Sequence, residues 1–202
     1  MALAASLVIL AGGEGRRMGR PKALLPVGGT TLVQWMARRL APTCRHLLIS
    51  ARDPGQLPPG LRAHLVLDRH LGAGPLAGIA AALAASPYDL VVVVACDLPG
   101  VTPDLVRRLA VAAAGVDAAV PVVGGRPQPT CAAYRRSAAA AIEAALSRGQ
   151  RRATEVLSAL VVRWLEMEDP GPFTNLNTPE DLAAFLATGA GAVPLGRPEG
   201  ER

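Results

Sequence analysis

Apolar and polar positions along the 202-residue chain alternate between short, continuously apolar runs and stretches with helical spacing. Residues 6–11 form an apolar run that ends in glycine and reads as a buried strand. Residues 30–40 have helical spacing, with Leu32, Trp35, Met36 and Leu40 on one face. Residues 46–51 and 64–67 read as strands. Residues 75–85 form an Ala/Leu helix with Pro75 in its first turn. The valine run at 90–96 is the signature of a strand buried on both faces. Thr102 followed by Pro103 caps a helix expected to run to about residue 113. Residues 118–123 and 130–134 read as strands, 137–146 and 153–157 as helical, and 161–166 as extended. Thr178 caps a last helix, and the Gly/Pro-rich tail from Gly189 is expected to be disordered.

Valine-rich strands alternating with helices predict an α/β three-layer fold around a mostly parallel sheet. The expected organisation is one domain over residues 1–188, with no internal repeat. In such sheets, ligands sit at the carboxyl ends of the strands, so the residues that follow each strand are where chemistry is sought.

After the first strand comes Gly12-Gly13-Glu14-Gly15-Arg16-Arg17-Met18-Gly19, then Arg20 and Lys22. Glycines allow main-chain N–H groups to approach an anion, and the arginines add positive charge. The loop matches neither the P-loop nor the dinucleotide fingerprint, yet its composition favours phosphate over a plain surface loop. Lys22 is the only lysine among 21 basic residues. A compact ammonium fits between closely spaced phosphate oxygens where a forked guanidinium does not.

Ser50-Ala51-Arg52-Asp53 after the second strand reads as a turn. Asp68 after the third is either a turn carboxylate or an acceptor for the donor edge of a base. The glycines at 72, 74 and 78 suit either a fold-serving cap or a close approach to ligand. Asp97, at the end of the valine strand, is favoured as a Mg²⁺ ligand over a turn cap, because Mg²⁺ takes oxygen ligands and accompanies phosphates. Asn175 and Asn177, the only asparagines, suit a helix cap and a polar site equally well.

Composition narrows the class. No apolar run approaches the ~20 residues of a membrane span, and no basic segment precedes the first apolar run as in a signal peptide. A cytoplasmic protein is expected. Cys44, Cys96 and Cys131 are odd in number and widely spaced, which suggests neither disulfides nor zinc. Cys96 lacks a histidine partner in sequence and reads as a small buried residue. His46, His64 and His70 show no metal spacing. The net charge of +5 comes from scattered basic pairs, and only 3% of residues are aromatic. An anionic small substrate therefore explains the charge better than nucleic acid does.

Taken together, "LAGGEGRRMGRPKALL", "GPLAGI", "CDLP", Pro129-Thr130 and "NLNTPEDL" resemble the molybdenum cofactor guanylyltransferases, over residues 8–186. The resemblance implies a Rossmann-like, glycosyltransferase-A-type nucleotidyltransferase. It would join GMP from GTP to the terminal phosphate of molybdopterin and release pyrophosphate. It further implies that Leu10, Ala11, Gly12 and Gly13 line the nucleotide and that Asp68 lies near the guanosine. Lys22 would sit on the triphosphate and Asp97 would bind Mg²⁺. Arg17, with Lys22, would offset charge on the leaving group. Asn175 and Asn177 match a segment near the pterin or metal. Transient contacts with proteins that deliver the pterin or accept the cofactor are implied; nucleic acid and membrane partners are not. Two positions depart from the pattern: Pro21 stands where many members have an acidic residue before the lysine, and Ser50 where many have asparagine. The rival readings are a cytidylyl or sugar-phosphate transferase and a non-catalytic nucleotide-binding module.

Overall fold

The computed structural model describes residues 1–13, 18–68, 72 and 74–189. Its centre is strand β1 (Leu3–Leu10), flanked on both sides by parallel partners. These are β4 (Cys44–Ala51) and β6 (Leu90–Ala95), and β5 (His64–Leu67) extends the parallel set beyond β4. On the other side, β9 (Cys131–Arg135) runs antiparallel between β6 and β7 (Ala118–Val123), and β10 (Val162–Met167) pairs parallel with β7. The order is β10-β7-β9-β6-β1-β4-β5, with the short β8 (Arg126–Pro127) on β7. A two-residue ribbon, β2 (Pro26–Val27) with β3 (Thr30–Thr31), stands apart; Gly28 and Gly29 make its turn with φ of 54° and 74°.

The strand alternation sorts the core into two layers. Leu7, Ile9, Val92 and Val94 point to one face. There they meet α1 (Leu32–Leu40) and α3 (Pro103–Ala112), with Leu182 and Phe185 of α5 (Pro179–Ala187) at the margin. Val8, Leu10, Val91 and Val93 point to the other, against α2 (Gly74–Ala85) and α4 (Ala139–Ser147). Val91 to Val94 are all fully buried, as a strand covered by helices on both faces requires. The mostly parallel three-layer α/β expectation is met.

Three helix starts follow from local chemistry. Gln34 Oε1 accepts from the N–H and the hydroxyl of Thr31. Thr102 Oγ accepts from the N–H of Leu105 at 3.2 Å. Thr178 and Asp181 cap each other reciprocally: Thr178 Oγ accepts from the N–H of Asp181, and Asp181 Oδ2 from the N–H of Thr178.

Two local expectations are corrected. Residues 153–157 are not a helix but a run of turns leading into a 3-10 turn at Leu157–Ala159. A five-residue segment is too short to repay helix nucleation on its own. Ser50 and Ala51 belong to β4, in keeping with the strand expected at 46–51 and against the turn expected at 50–53; Ser50 pairs with Leu10 and Val66, and the chain bends only at Arg52. The expected tail from 190 onward lies outside the described residues.

Candidate active site

The carboxyl ends of β1, β4, β5 and β6 open onto one cleft, lined by Leu10, Gly12, Gly13, Lys22, Ser50, Arg52, Asp68, Gly74, Pro75, Gly78, Ala95, Cys96, Asp97 and Thr130. Main-chain hydrogen bonds continue one step past the strands and brace its floor. Ala11 N–H donates to Ser50 O, Cys96 N–H to Leu10 O, Asp68 N–H to Ala51 O and Ala95 N–H to Thr130 O. The first glycine of the loop serves space rather than backbone freedom. Gly12 has no positive φ, and a Cβ there would stand 3.5 Å from Arg52 Cγ and 3.6 Å from Asp68 Oδ2, filling the cleft.

At one end of the cleft, Lys22 joins three parts of the chain. It begins the 3-10 turn Lys22–Leu24, after Pro21 at φ −53°. Its Nζ donates to Asp97 Oδ2 at 2.9 Å and to Asn177 Oδ1 at 2.8 Å. The Lys22 side chain is 13% exposed and that of Asp97 23%, so the ion pair is partly withdrawn from water while staying open to the cleft. Asn177 is held from both sides: Leu176 N–H donates to Asp97 O, and Asn177 N–H to Asp181 Oδ2, each at 2.8 Å. The main-chain N–H groups of Asn177 and Thr178 hold the Asp181 carboxyl below the usual carboxylate range.

At the other end, Ser50 Oγ donates to Asp68 Oδ1 at 2.7 Å. Gly78 of α2 makes this approach possible, since a Cβ there would stand 2.7 Å from Ser50 Oγ and 2.9 Å from Leu10 Cδ2. Helix α2 begins at the cleft, with Gly74 at φ +63°, and its N-terminus adds positive potential.

Of the residues expected from sequence, Leu10, Gly12, Gly13, Lys22, Ser50, Asp68 and Asp97 line this single cleft. Ala11 does not: it is fully buried beneath the floor and contributes through its main chain. Asn175 and Asn177 are both exposed and outside the lining; Asn177 reaches the site through its bond to Lys22. Arg17 lies outside the described residues. Arg52 and Thr130 were not singled out as binding residues, although each stands at a strand end on the cleft side, which is the signal that locates the others. Cys96 also lines the cleft, but burial first and the Asp97 charge second push its thiol up to about 12. It stays protonated and is no nucleophile.

The donor set fits a hard cation. Asp97 Oδ2 and Asn177 Oδ1 already converge on one positive charge, the Lys22 ammonium. Among the described residues no group of three or more His, Cys, Asp or Glu is arranged for a metal.

A family model, that of the MobA-like NTP transferase domain, matches residues 7–164. The chain belongs to the MobA-like NTP transferases. A molybdenum cofactor guanylyltransferase from Cereibacter sphaeroides is 41% identical to this MobA-like chain over 181 residues, covering 87% of the chain and 92% of the relative. Among solved structures, molybdopterin-guanine dinucleotide biosynthesis protein A from Archaeoglobus fulgidus superposes with a TM-score of 0.79 at 31% identity, over 91% of this chain and 99% of that one. The 2-C-methyl-D-erythritol 4-phosphate cytidylyltransferase from Thermus thermophilus superposes at 0.72 with 25% identity, over 94% and 99%. The fold of this MobA-like chain is thus shared with an enzyme named for a different base.

Proposed function

We propose that this chain, acting through a single nucleotidyltransferase unit over residues 1–188, transfers GMP from GTP to the terminal phosphate of molybdopterin. The observation that carries the reading is the convergence of Lys22, Asp97 and Asn177 at the strand ends of a MobA-like transferase. Strands β6 and β5 are three spacings apart, about 14 Å. An extended nucleotide can therefore lie along the cleft, phosphates toward Asp97 and base toward Asp68.

In the reaction, an oxygen of the acceptor phosphate attacks the α-phosphorus in line, and the bond to pyrophosphate breaks as the new bond forms. Both partners are anions, so the chain's task is to bring them together and neutralise charge. Gly12 and Gly13 line the cleft beside Lys22 and leave the main chain bare for an approaching phosphate. Lys22 exchanges its hold on Asp97 and Asn177 for phosphate oxygens, and Arg17 assists at the leaving group. Asp97 and Asn177 would hold Mg²⁺, which when bound polarises the phosphoryl oxygens and stabilises the departing pyrophosphate. Proteins that deliver the pterin or accept the product contact this enzyme transiently, in the cytoplasm; among the described residues no helix is long and apolar enough to cross a membrane.

The experiment is nucleotide selectivity. With Mg²⁺ and molybdopterin, pyrophosphate release is expected from GTP and not from CTP, ATP or UTP. Release from CTP alone overturns the guanylyl assignment, and GTP binding without turnover overturns the enzymatic one.

A further inference from the structure

Arg52, to which the mechanism gives no role, lines the cleft at the same end as Asp68. Ala51 of β4 and Leu67 of β5 are register partners, so Arg52 and Asp68 are the next residues on adjacent strands. The point that a Cβ of Gly12 would occupy lies 3.5 Å from Arg52 Cγ and 3.6 Å from Asp68 Oδ2. A guanidinium stem and a carboxylate oxygen therefore flank the same part of the cleft. Ser50 occupies Asp68 Oδ1, which fixes the carboxylate and leaves Oδ2 on the Gly12 side.

We propose that Arg52 is the base-specificity residue, taking O6 and N7 of guanine while Asp68 receives the N1–H and the 2-amino group. The proposal rests on the guanylyl reading above. The chemistry is selective. Guanine presents two acceptors, N7 and O6, on one edge, and Arg meets that pair with two parallel donors. Adenine and cytosine present an amino donor where guanine has O6, and a guanidinium repels it. Uracil has one ring N–H between two carbonyls, which leaves Asp68 a single donor.

The test is equilibrium binding of GTP, 7-deaza-GTP, inosine triphosphate, ATP and CTP to the wild-type chain and to Arg52→Ala. The wild type is expected to bind 7-deaza-GTP, which lacks the N7 acceptor, about tenfold more weakly than GTP. Inosine triphosphate, which lacks the 2-amino group, is expected to be weakened similarly. Arg52→Ala should bind GTP about tenfold more weakly and no longer distinguish it from 7-deaza-GTP. Its far-ultraviolet circular dichroism and melting are recorded alongside, and the wild-type analogue series stands even if the variant misfolds. If the wild type prefers GTP but binds 7-deaza-GTP equally well, or if folded Arg52→Ala keeps the preference for GTP over 7-deaza-GTP, Arg52 does not read the base and the guanylyl reading survives. A wild type that prefers CTP or ATP overturns both.

Discussion

The N–H of Leu176 donates to the carbonyl oxygen of Asp97 at 2.8 Å. This main-chain bond ties the segment that carries Asn177 to the end of β6, so the two oxygens that grip Lys22 come from stretches of chain fastened to each other. Side-chain geometry at the site is thereby set by backbone, and changes to the three polar groups are expected to affect chemistry more than folding.

Lys22→Arg and Asp97→Ala should each lower kcat for transfer about 100-fold or more, the scale of losing one charge-stabilising contact. Both variants should melt within a few degrees of the wild type, because both side chains stand open to the cleft. Pyrophosphate release and a thermal scan measure the two quantities. Near-normal turnover by a folded variant would remove that residue from the mechanism.

Gly78→Ala should damage the base end of the cleft. The added methyl cannot coexist with Ser50 Oγ at 2.7 Å, so the Ser50–Asp68 hydrogen bond must break or shift. Overpacking of this kind costs about 1–3 kcal/mol. Urea denaturation should show that loss, and nucleotide titration a weaker affinity. Unchanged stability with full affinity would mean that the helix can move away freely.

Asp181 gives a pH signature. Its folded-state value is depressed by the N–H groups of Asn177 and Thr178. More protons bind to the unfolded chain than to the folded one across the interval between the two values. The contribution of Asp181 is thus present above the ordinary carboxylate value and is lost as pH falls through the folded one. In Asp181→Asn, the acid slope of stability below about pH 4 should be shallower than in the wild type. Parallel denaturation curves for the two proteins across that range would refute the capping role.

Cys96→Ala should retain transfer within about threefold and lose about 1 kcal/mol of stability, as small core truncations do. Native protein should resist iodoacetamide at pH 8, since the buried thiol is pushed up to about 12. Abolished transfer in a folded Cys96→Ala variant would show that the direct, nucleophile-free displacement is wrong.

Much of the frame was legible because burial writes itself into sequence. The valine run of β6 and the Thr-Pro starts of α3 and α5 carry their own physical cause, and the strand ends pointed to Lys22, Asp68 and Asp97. What stayed hidden is pairing across distance. Nothing local in "NLNTPEDL" separates Asn177, whose side chain accepts from Lys22, from Asn175, two residues earlier and equally exposed. Ser50 falls both in the strand expected at 46–51 and in the turn expected at 50–53; the strand holds, and its hydroxyl is satisfied by Asp68, 18 residues on. The 153–157 segment had helical composition without the length to form one.

Lys22 and Asn177 are 155 residues apart in sequence and 2.8 Å apart in space. During synthesis, then, the grip on the Lys22 ammonium cannot be completed until the whole sheet and the segment leading into the last helix have emerged. A truncated or stalled chain lacks the amide that shares the ammonium with Asp97. The finished chain gains stability from each bound nucleotide by mass action. Nucleotide therefore protects the folded, completed molecule from proteolysis, because it binds the folded state.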